Sequence, residues 1–315
     1  MSSVSLPTPQ PAQSASRRSW LDALGARTVI GIPFLWLALL FLVPFLIVVK
    51  ISISESDGIH FKEMFVFTDG HLQWNVKWGN YAFLASDALY IRTYLSSIYY
   101  AGVTTIICLL IGYPFAYFMA RSPAAWRPAL LMMVMLPFWT SLLLRVYAWK
   151  GLLASNGVIN DLLLAIGVIS EPLKMMNTSF SLLIGMVYAY LPFMILPLYA
   201  NLVKLDLRLL EAAADLGAKP LTAFWKVTIP LSKAGIVAGA MLVFIPCVGE
   251  FVIPELLGGP STLMIGRVLW DEFFSNNDWA MASAVAVVMV LLIIIPLAIF
   301  NKSQTENAAR EKGRI

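Results

Sequence analysis

The sequence predicts an all-α, polytopic membrane protein with six transmembrane helices and both termini in the cytoplasm. Three observations predict it. Apolar residues make up 59% of the 315 residues and charged residues only 13%, against roughly 25% charged residues in a soluble domain. Six runs are long and apolar enough to cross a bilayer, which takes about 20 helical residues. The basic residues are concentrated in alternate connections between these runs.

Four of the six runs contain no charged residue, and the other two carry one charge each. In chain order the predicted spans are 29–49, 94–120, 129–149, 180–203, 234–254 and 280–300. A single run could be a buried helix of a soluble protein, but six runs of this length exclude that interpretation. The first run is too long for the apolar core of a signal peptide and has no small-x-small cleavage site before Lys50. It is therefore predicted to remain as the first span.

The orientation follows from the positive charges, because Lys and Arg are enriched in cytoplasmic connections. The two tails and the second and fourth connections hold 14 of the 22 basic residues. These parts are therefore predicted to be cytoplasmic. The resulting organisation is a disordered cytoplasmic tail at 1–28, the first span at 29–49, an external connection at 50–93, a core with five spans at 94–300 and a cytoplasmic tail at 301–315.

The composition also excludes several classes of function. The net charge of +4 is too small and too dispersed to indicate binding of nucleic acid. Cys108 and Cys247 fall inside apolar runs, so neither a disulfide scaffold nor a zinc site is expected. The chain has no G-x-x-x-x-G-K-[ST] phosphate loop and is not expected to hydrolyse ATP. No catalytic residue, metal or cofactor is therefore predicted in this chain.

The fourth connection is patterned as a structured hairpin at 206–231. Asp206 is a good N-cap, and strong helix formers follow it. Gly217 suits the left-handed position after a helix, and Pro220 suits the start of the next one. The pattern predicts helix, sharp turn, helix. Such a hairpin could merely join two spans, or it could be a docking element for a cytoplasmic partner.

A resemblance to a known family favours the docking element. The hairpin resembles the signature E-A-A, x3, G, x9, I-x-L-P of binding-protein-dependent ABC importer permeases, which it matches in spacing at Glu211, Ala212, Ala213, Gly217, Val227, Ile229 and Pro230. In that family the hairpin contains the coupling helix, which sits in a cleft of the cytoplasmic ATPase. The resemblance implies a type I ABC importer permease fold. It also implies that the contact with the ATPase is made by Glu211, Ala212, Ala213, Gly217 and Pro230.

The fifth span contains features of a solute path. Pro246 and Pro254 each remove a helical hydrogen bond, so a broken helix is predicted. A broken helix at membrane depth is tolerated where it lines a cavity. Glu250 and Glu255 would be costly against lipid, so they are predicted to face a water-filled path that a cation could enter.

Other interpretations of these carboxylates stay open. Glu250 could pair with Arg145 or Arg267, and Glu255 could simply lie in the external interface. Aromatic faces in the third span could hold an ammonium group, although they could also form an interfacial belt. The candidates that this span adds to the path are Trp139, Tyr147 and Arg145.

Longer segments resemble the permeases of bacterial polyamine importers, closest to the putrescine type. The segments are 136–149, 156–160, 249–260 and 264–270. The resemblance implies a multi-pass protein of the bacterial inner membrane that moves putrescine, or else spermidine, into the cytoplasm by alternating access. It also implies three partners: a second permease that forms a heterodimer with this one, a cytoplasmic ATPase dimer that binds ATP and Mg²⁺, and a periplasmic polyamine-binding protein.

Two alternatives compete with this interpretation. One is an ion-coupled secondary transporter that uses Glu250 as its coupling site. The signature between Glu211 and Pro230 has no evident role in such a self-powered carrier. The other alternative is an ABC permease of the same architecture for another small solute, such as an amino acid or an oxyanion.

Overall fold

A computed structural model of the chain describes residues 15–54, 56–57, 60–61, 65–68, 71–74 and 77–312, with side chains at 28–54 and 77–298. The expected disorder of residues 1–14 lies outside this description. The helices are α1 Ala15–Ser52, α2 Gly79–Ser86, α3 Ala88–Arg121, α4 Arg127–Met135, α5 Leu142–Leu153, α6 Val158–Ala165, α7 Ser179–Leu202, α8 Arg208–Asp215, α9 Pro220–Ala223, α10 Ile229–Leu231, α11 Lys233–Val248, α12 Val252–Leu257, α13 Ile265–Trp270 and α14 Trp279–Lys312.

The described β-structure is confined to the first external connection. There β1 (Ser56–Asp57) pairs antiparallel with β2 (His60–Phe61), and β3 (Phe65–Thr68) pairs antiparallel with β4 (His71–Trp74). The following helix α2 is tied back to α1 by a 2.7 Å hydrogen bond between the hydroxyls of Ser52 and Tyr81. All other regular elements of the described residues are helical, so the all-α class is confirmed.

The first helix begins earlier than expected. Residues 15–28 were predicted to belong to a disordered tail, but their backbone forms the first turns of α1. Residues 15–28 contain no proline, and extending an existing helix is far less costly than starting a new one. The prediction of a disordered tail is therefore wrong for residues 15–28.

Long apolar helices account for four of the predicted spans. Within the described part of the chain, four helices are long and apolar enough to cross a bilayer: Thr28–Ser52, Ala88–Arg121, Ser179–Leu202 and Trp279–Ala298. Two further pairs of helices meet the same criteria only when each bent pair is taken together. Six spans result if each pair crosses once, so the exact number stays a prediction.

The third predicted span, 129–149, is not a single helix. Its helix α4 ends at Met135 and is followed by a 3₁₀ turn at Leu136–Trp139, before α5 begins at Leu142. The two parts are bent by 85°. Pro137 cannot donate a backbone hydrogen bond, and Thr140 is extended, its hydroxyl donating to the carbonyl oxygen of Pro137 at 2.9 Å.

The fifth predicted span, 234–254, is also divided. Helix α11 ends at Val248, three residues follow outside any helix, and α12 starts at Val252. Pro246 lies inside α11, and Pro254 lies in the first turn of α12, where its missing N–H has no helical partner to lose. The break therefore falls at Gly249, Glu250 and Phe251, between the two prolines.

Helices α3, α7 and α11 pack against one another and form the centre of the molecule. Met194, Leu198 and Val243 are fully buried between these helices. Cys108 and Cys247 are also buried there and are free thiols. Because lipid tails are as apolar as these side chains, close packing rather than transfer from water stabilises the contacts between membrane-embedded helices.

Helix α1 lies at the edge of this bundle. It packs mainly along α14. Its large side chains are widely exposed, with Phe34 72% and Phe41 70% accessible. Such a surface is suited to lipid or to another membrane-embedded subunit, because water would not solvate it.

Candidate functional site

The hairpin at 206–231 begins with a well-formed helix α8. The carboxylate of Asp206 accepts the backbone N–H of Arg208 at 3.0 Å and the guanidinium of Arg208 at 2.8 Å. Hydrogen bonds from Arg208 lower the pKa of the Asp206 carboxyl. Asp206 thus accepts a backbone N–H at the start of the helix, as expected of a capping residue. It lies two residues before the first helical residue, one position earlier than an N-cap.

The turn after α8 is the one that the sequence predicts. Gly217 has a φ of 79°, and its N–H donates to the carbonyl of Ala214 at 2.8 Å. The N–H of Ala218 donates to the carbonyl of Ala213 at 2.9 Å. This pair of bonds is a Schellman motif, which needs a left-handed residue and so favours glycine. Pro220 then opens α9.

The face of the hairpin that carries the signature is open. Glu211 and Ala212 are exposed, and Ala213 is half-buried. Large apolar side chains are exposed beside them, with Leu216 88% accessible and Leu209 47%. We call Glu211, Ala212, Ala213, Leu216 and Gly217 the hairpin tip. A charged group beside small and apolar groups suits close contact with another protein.

The base of the hairpin is fixed to the bundle. The ring of Phe224 packs edge-on against Tyr113 at 5.6 Å and Tyr117 at 6.1 Å, both on α3. The hydroxyl of Tyr113 also lies 2.8 Å from that of Ser232, which immediately precedes α11. A displacement of the hairpin would therefore be transmitted to both α3 and α11.

A π-helical segment, Phe224–Thr228, lies between α9 and α10. Its hydrogen bonds span five residues instead of four, as in the bond from the N–H of Ile229 to the carbonyl of Phe224. Pro230 follows directly and cannot donate a backbone hydrogen bond. The predicted coupling residue Pro230 is exposed, but it lies at the base of the hairpin and not at its tip.

A carboxylate occupies the break between α11 and α12. Glu250 accepts the backbone N–H of Val252 at 3.0 Å and that of Ile253 at 3.4 Å. Its other oxygen accepts a hydrogen bond from the hydroxyl of Tyr190 on α7, a residue only 8% exposed. Three donors thus converge on one carboxylate. This arrangement offsets the cost of placing a charge at that depth.

The break is held by close packing against α13. A Cβ built on Gly266 would overlap the carbonyl oxygen of Gly249 and would lie 2.6 Å from that of Glu250. The N–H of Ile265 donates to the hydroxyl of Ser97 on α3 at 2.7 Å. The conformation around Glu250 is therefore fixed by two neighbouring helices and not by α11 alone.

Glu255 has a different environment. Its carboxylate lies 2.6 Å from Nε of Arg267, and the Glu255 side chain is 50% exposed. This contact is an ion pair by distance, because the Nε–H makes no aligned hydrogen bond. Arg267, which the sequence suggested as a possible partner of Glu250, therefore pairs with Glu255. Glu250 is bound by Tyr190 instead.

The predicted residues of the third span divide into two groups. Arg145 is half-buried, with its guanidinium 5.7 Å from the ring of Phe138 and 6.0 Å from that of Tyr188. Trp139 is 73% exposed. Tyr147 is 54% exposed and its ring lies 5.9 Å from Nζ of Lys150. Among the described residues, no hydrogen bond or ion pair joins these three side chains to Glu250, whose carboxylate binds Tyr190.

Sequence reasoning missed Tyr190 and Phe224. Tyr190 provides the donor from α7 to Glu250, and Phe224 anchors the hairpin. A search for a donor on another span could have suggested Tyr190, because a buried carboxylate requires one. Nothing in the sequence distinguishes Tyr190 from Tyr188, which lies two residues before it and therefore on a different face of α7.

Comparisons with known proteins agree with this architecture. Residues 109–303 match the family described as "Binding-protein-dependent transport system inner membrane component". The chain is 39% identical over 277 residues to the spermidine/putrescine transport system permease protein PotB of Haemophilus influenzae, covering 88% of this chain and 93% of the relative. It is 38% identical over 273 residues to PotB of Escherichia coli K12, covering 87% and 94%.

Solved structures share the fold at lower sequence identity. A bacterial ABC transporter for import of the acidic polysaccharide alginate matches with a TM-score of 0.62 at 15% identity, covering 90% of this chain and 99% of the other. The alginate transporter in complex with its pentasaccharide-bound periplasmic protein matches with a TM-score of 0.65 at 16% identity, covering 91% and 94%. At this identity the likeness concerns the fold alone.

Proposed function

The chain belongs to the family of inner-membrane components of binding-protein-dependent transport systems, and we propose that it moves polyamines through the membrane for an ATP-driven importer. In this proposal it is one of two permease subunits that form a heterodimer above a cytoplasmic ATPase dimer. A periplasmic binding protein delivers the cargo. The names of the relatives at 38–39% identity, spermidine/putrescine permeases, support the cargo.

The observation that carries the coupling role is the exposed and rigid hairpin tip. Its turn is fixed by two Schellman hydrogen bonds, and its apolar residue Leu216 is 88% exposed. An apolar side chain this exposed suits burial against a partner protein. We assign the ATPase contact to the tip, with Glu211 as the charge-assisted hydrogen-bonding group and the alanines as the points of close approach. Pro230 shapes the base.

The proposed transmission path follows rigid elements. Closure of the ATPase dimer moves the tip, and Phe224 and Ser232 pass the movement to α3 and α11. Helix α11 has 16 residues, so it spans about 24 Å at 1.5 Å per residue. Its far end is the break that holds Glu250. Movement at the hairpin can thus change access to the carboxylate, which is the requirement for alternating access.

The proposed role of Glu250 is to face the ammonium groups of the cargo. In the described conformation its charge is stabilised by Tyr190 and two backbone donors. A cation that enters the site could replace the hydroxyl of Tyr190 without leaving the carboxylate unpaired. Glu255 lies further along α12, is half-exposed and pairs with Arg267 on α13. Arg145, Trp139 and Tyr147 stay proposals for the path.

The cargo is proposed as a short linear polyamine. The sequence resemblance favours putrescine, whereas the relatives' names include spermidine as well. Selection between the two is expected to depend largely on the delivering protein. A competition assay with both amines, and with an amino acid and an oxyanion as controls, measures the preference directly.

The test of this function is ATP-driven uptake of labelled polyamine by proteoliposomes that contain the complete complex. Glu211→Ala is compared with Asp215→Ala, because both residues are acidic, exposed and one turn apart on α8. A charge-assisted hydrogen bond is worth about 1.5–3 kcal/mol, so Glu211→Ala should weaken ATPase docking at least about tenfold. Asp215→Ala should leave docking and uptake unchanged.

Three outcomes would contradict the proposal. Equal uptake by the two variants and the wild type would remove the docking role of Glu211. Uptake that continues without ATP or the ATPase would instead indicate a self-powered carrier. Uptake blocked by the amino acid or oxyanion but not by putrescine or spermidine would indicate another cargo.

A further inference from the structure

A cavity of about 420 Å³ opens at the end of α3 that faces the hairpin. It is lined by Phe118, Arg121, Ser122, Pro123, Trp126 and Leu130. Arg121 also borders a neighbouring cavity together with Phe224, so this opening lies on the same side of the bundle as the hairpin. The coupling role assigned to the hairpin does not involve this cavity.

The cavity contains positive charge without a compensating carboxylate. Nη2 of Arg121 is buried and has no hydrogen-bond partner, while its guanidinium lies 5.1 Å from the ring of Tyr117. Arg127 lies beside the lining residues Ser122 and Trp126, and it donates from Nε to the carbonyl of Ser122 at 2.9 Å. The sequence has no acidic residue between Asp87 and Asp161. No carboxylate of the described residues forms an ion pair with either arginine.

An apolar groove continues from the cavity toward the middle of the bundle. Phe118 and Leu130 line both the cavity and a second one of about 310 Å³ between α3, α4 and α7. Met133, Leu191 and Ile195 extend the apolar lining. The groove is therefore apolar along its length and basic at one end. Trp126, 64% exposed beside the arginines, is a residue type that favours the membrane–water interface.

We propose that this cavity and groove bind an anionic phospholipid from the leaflet on the hairpin side. The lipid phosphate lies against Arg121 and Arg127, and one acyl chain lies in the groove along Phe118 and Met133. A guanidinium has the fork geometry that matches phosphate oxygens, and basic pockets at the cytoplasmic side of membrane helices bind anionic head groups. The apolar continuation distinguishes a lipid from free phosphate, which would leave the groove empty.

The test uses the full-length chain in its purified transporter complex, stripped of lipid in neutral detergent. Binding of phosphatidylglycerol is measured by native mass spectrometry, with phosphatidylcholine of the same chains and inorganic phosphate as comparison probes. Arg121→Gln is matched by Arg92→Gln, an exposed arginine near the other end of α3. Removing one interfacial arginine should weaken phosphatidylglycerol binding about fivefold, while the Arg92 variant and phosphatidylcholine binding stay unchanged.

Two further variants test the head-group contact and the acyl-chain contact separately. Arg121→Lys keeps the charge but loses the fork geometry, so it should bind phosphatidylglycerol more tightly than Arg121→Gln and less tightly than the wild type, which guards against misfolding of the glutamine variant. Met133→Trp fills the groove and should weaken binding of long-chain phosphatidylglycerol more than that of a dihexanoyl analogue. Equal phosphatidylglycerol binding by Arg121→Gln and the wild type would overturn the proposal. Displacement of the lipid by inorganic phosphate would overturn it as well.

Discussion

Replacing Glu250 with alanine should release the start of α12, whereas glutamine should hold it in place. The carboxylate accepts two backbone N–H groups at 3.0 and 3.4 Å and the hydroxyl of Tyr190. Alanine removes all three interactions. The amide oxygen of glutamine can still accept the backbone donors. Its NH2 group replaces the oxygen that accepts from Tyr190, so the tyrosine hydroxyl would accept instead of donate, and the negative charge is lost. The two variants therefore separate a structural role of this residue from an electrostatic one.

The magnitudes follow from the interactions that are lost. Removing a helix cap costs about 1 kcal/mol, and leaving the buried hydroxyl of Tyr190 unpaired costs about 1–3 kcal/mol. Glu250→Ala should thus destabilise the segment by about 2–4 kcal/mol, because both costs apply. Glu250→Gln should stay within about 1 kcal/mol of the wild type. Tyr190→Phe should have an intermediate effect, since the backbone donors keep their acceptor.

The assay is hydrogen–deuterium exchange of the backbone N–H groups in Val252–Leu257, measured on the complete complex in nanodiscs. A cost of about 2 kcal/mol corresponds to protection lowered about 30-fold in Glu250→Ala. Polyamine uptake is measured in parallel and should fall in Glu250→Gln despite normal protection and ATPase docking. Unchanged protection in the alanine variant would refute the capping role, and unchanged uptake in the glutamine variant would refute the role of the charge.

Gly217→Ala places a side chain at a φ of 79° and should destabilise the folded turn of the hairpin by about 1 kcal/mol. A pull-down of the ATPase should then recover less of it with the variant. Unchanged recovery would contradict a rigid turn. Gly266→Ala should lower the thermal unfolding midpoint by an amount equivalent to about 1–3 kcal/mol, because its Cβ overlaps the carbonyl of Gly249. Arg267→Gln should change that midpoint little, since its ion pair with half-exposed Glu255 is worth about 1 kcal/mol or less; a large shift would mean that the pair is shielded from water.

The sequence alone predicts the parts of this fold that depend on local chemistry. Charge-free apolar runs predict the four long helices, because helix length is set by bilayer thickness. Gly217 and Pro220 predict the turn between two helices, because each residue restricts or permits specific backbone angles. The membrane-protein class follows from the low charged fraction and the long apolar runs, which are also local properties of the sequence. None of these predictions depends on which helices contact one another.

The remaining features depend on tertiary contacts. The partner of Glu250 is Tyr190, 60 residues away in sequence, and nothing in either segment identifies the other. The bend at Thr140 and Ser141 was missed because apolar composition continues through it, although Pro137 marks its approximate position. The lipid-facing or buried state of Trp139 and Arg145 likewise depends on how the bent α4–α5 segment packs on α7.

The proposed mechanism depends above all on an ATPase that contacts the hairpin tip and moves it. Cysteine crosslinking measures that contact most directly: cysteines are placed at Ala213 and at single positions in the ATPase cleft, and crosslinking is followed with and without ATP. We expect a specific crosslink whose yield changes on ATP binding, and loss of polyamine uptake once it is formed. Absence of any crosslink from position 213, with ATP-driven uptake intact, would contradict this mechanism.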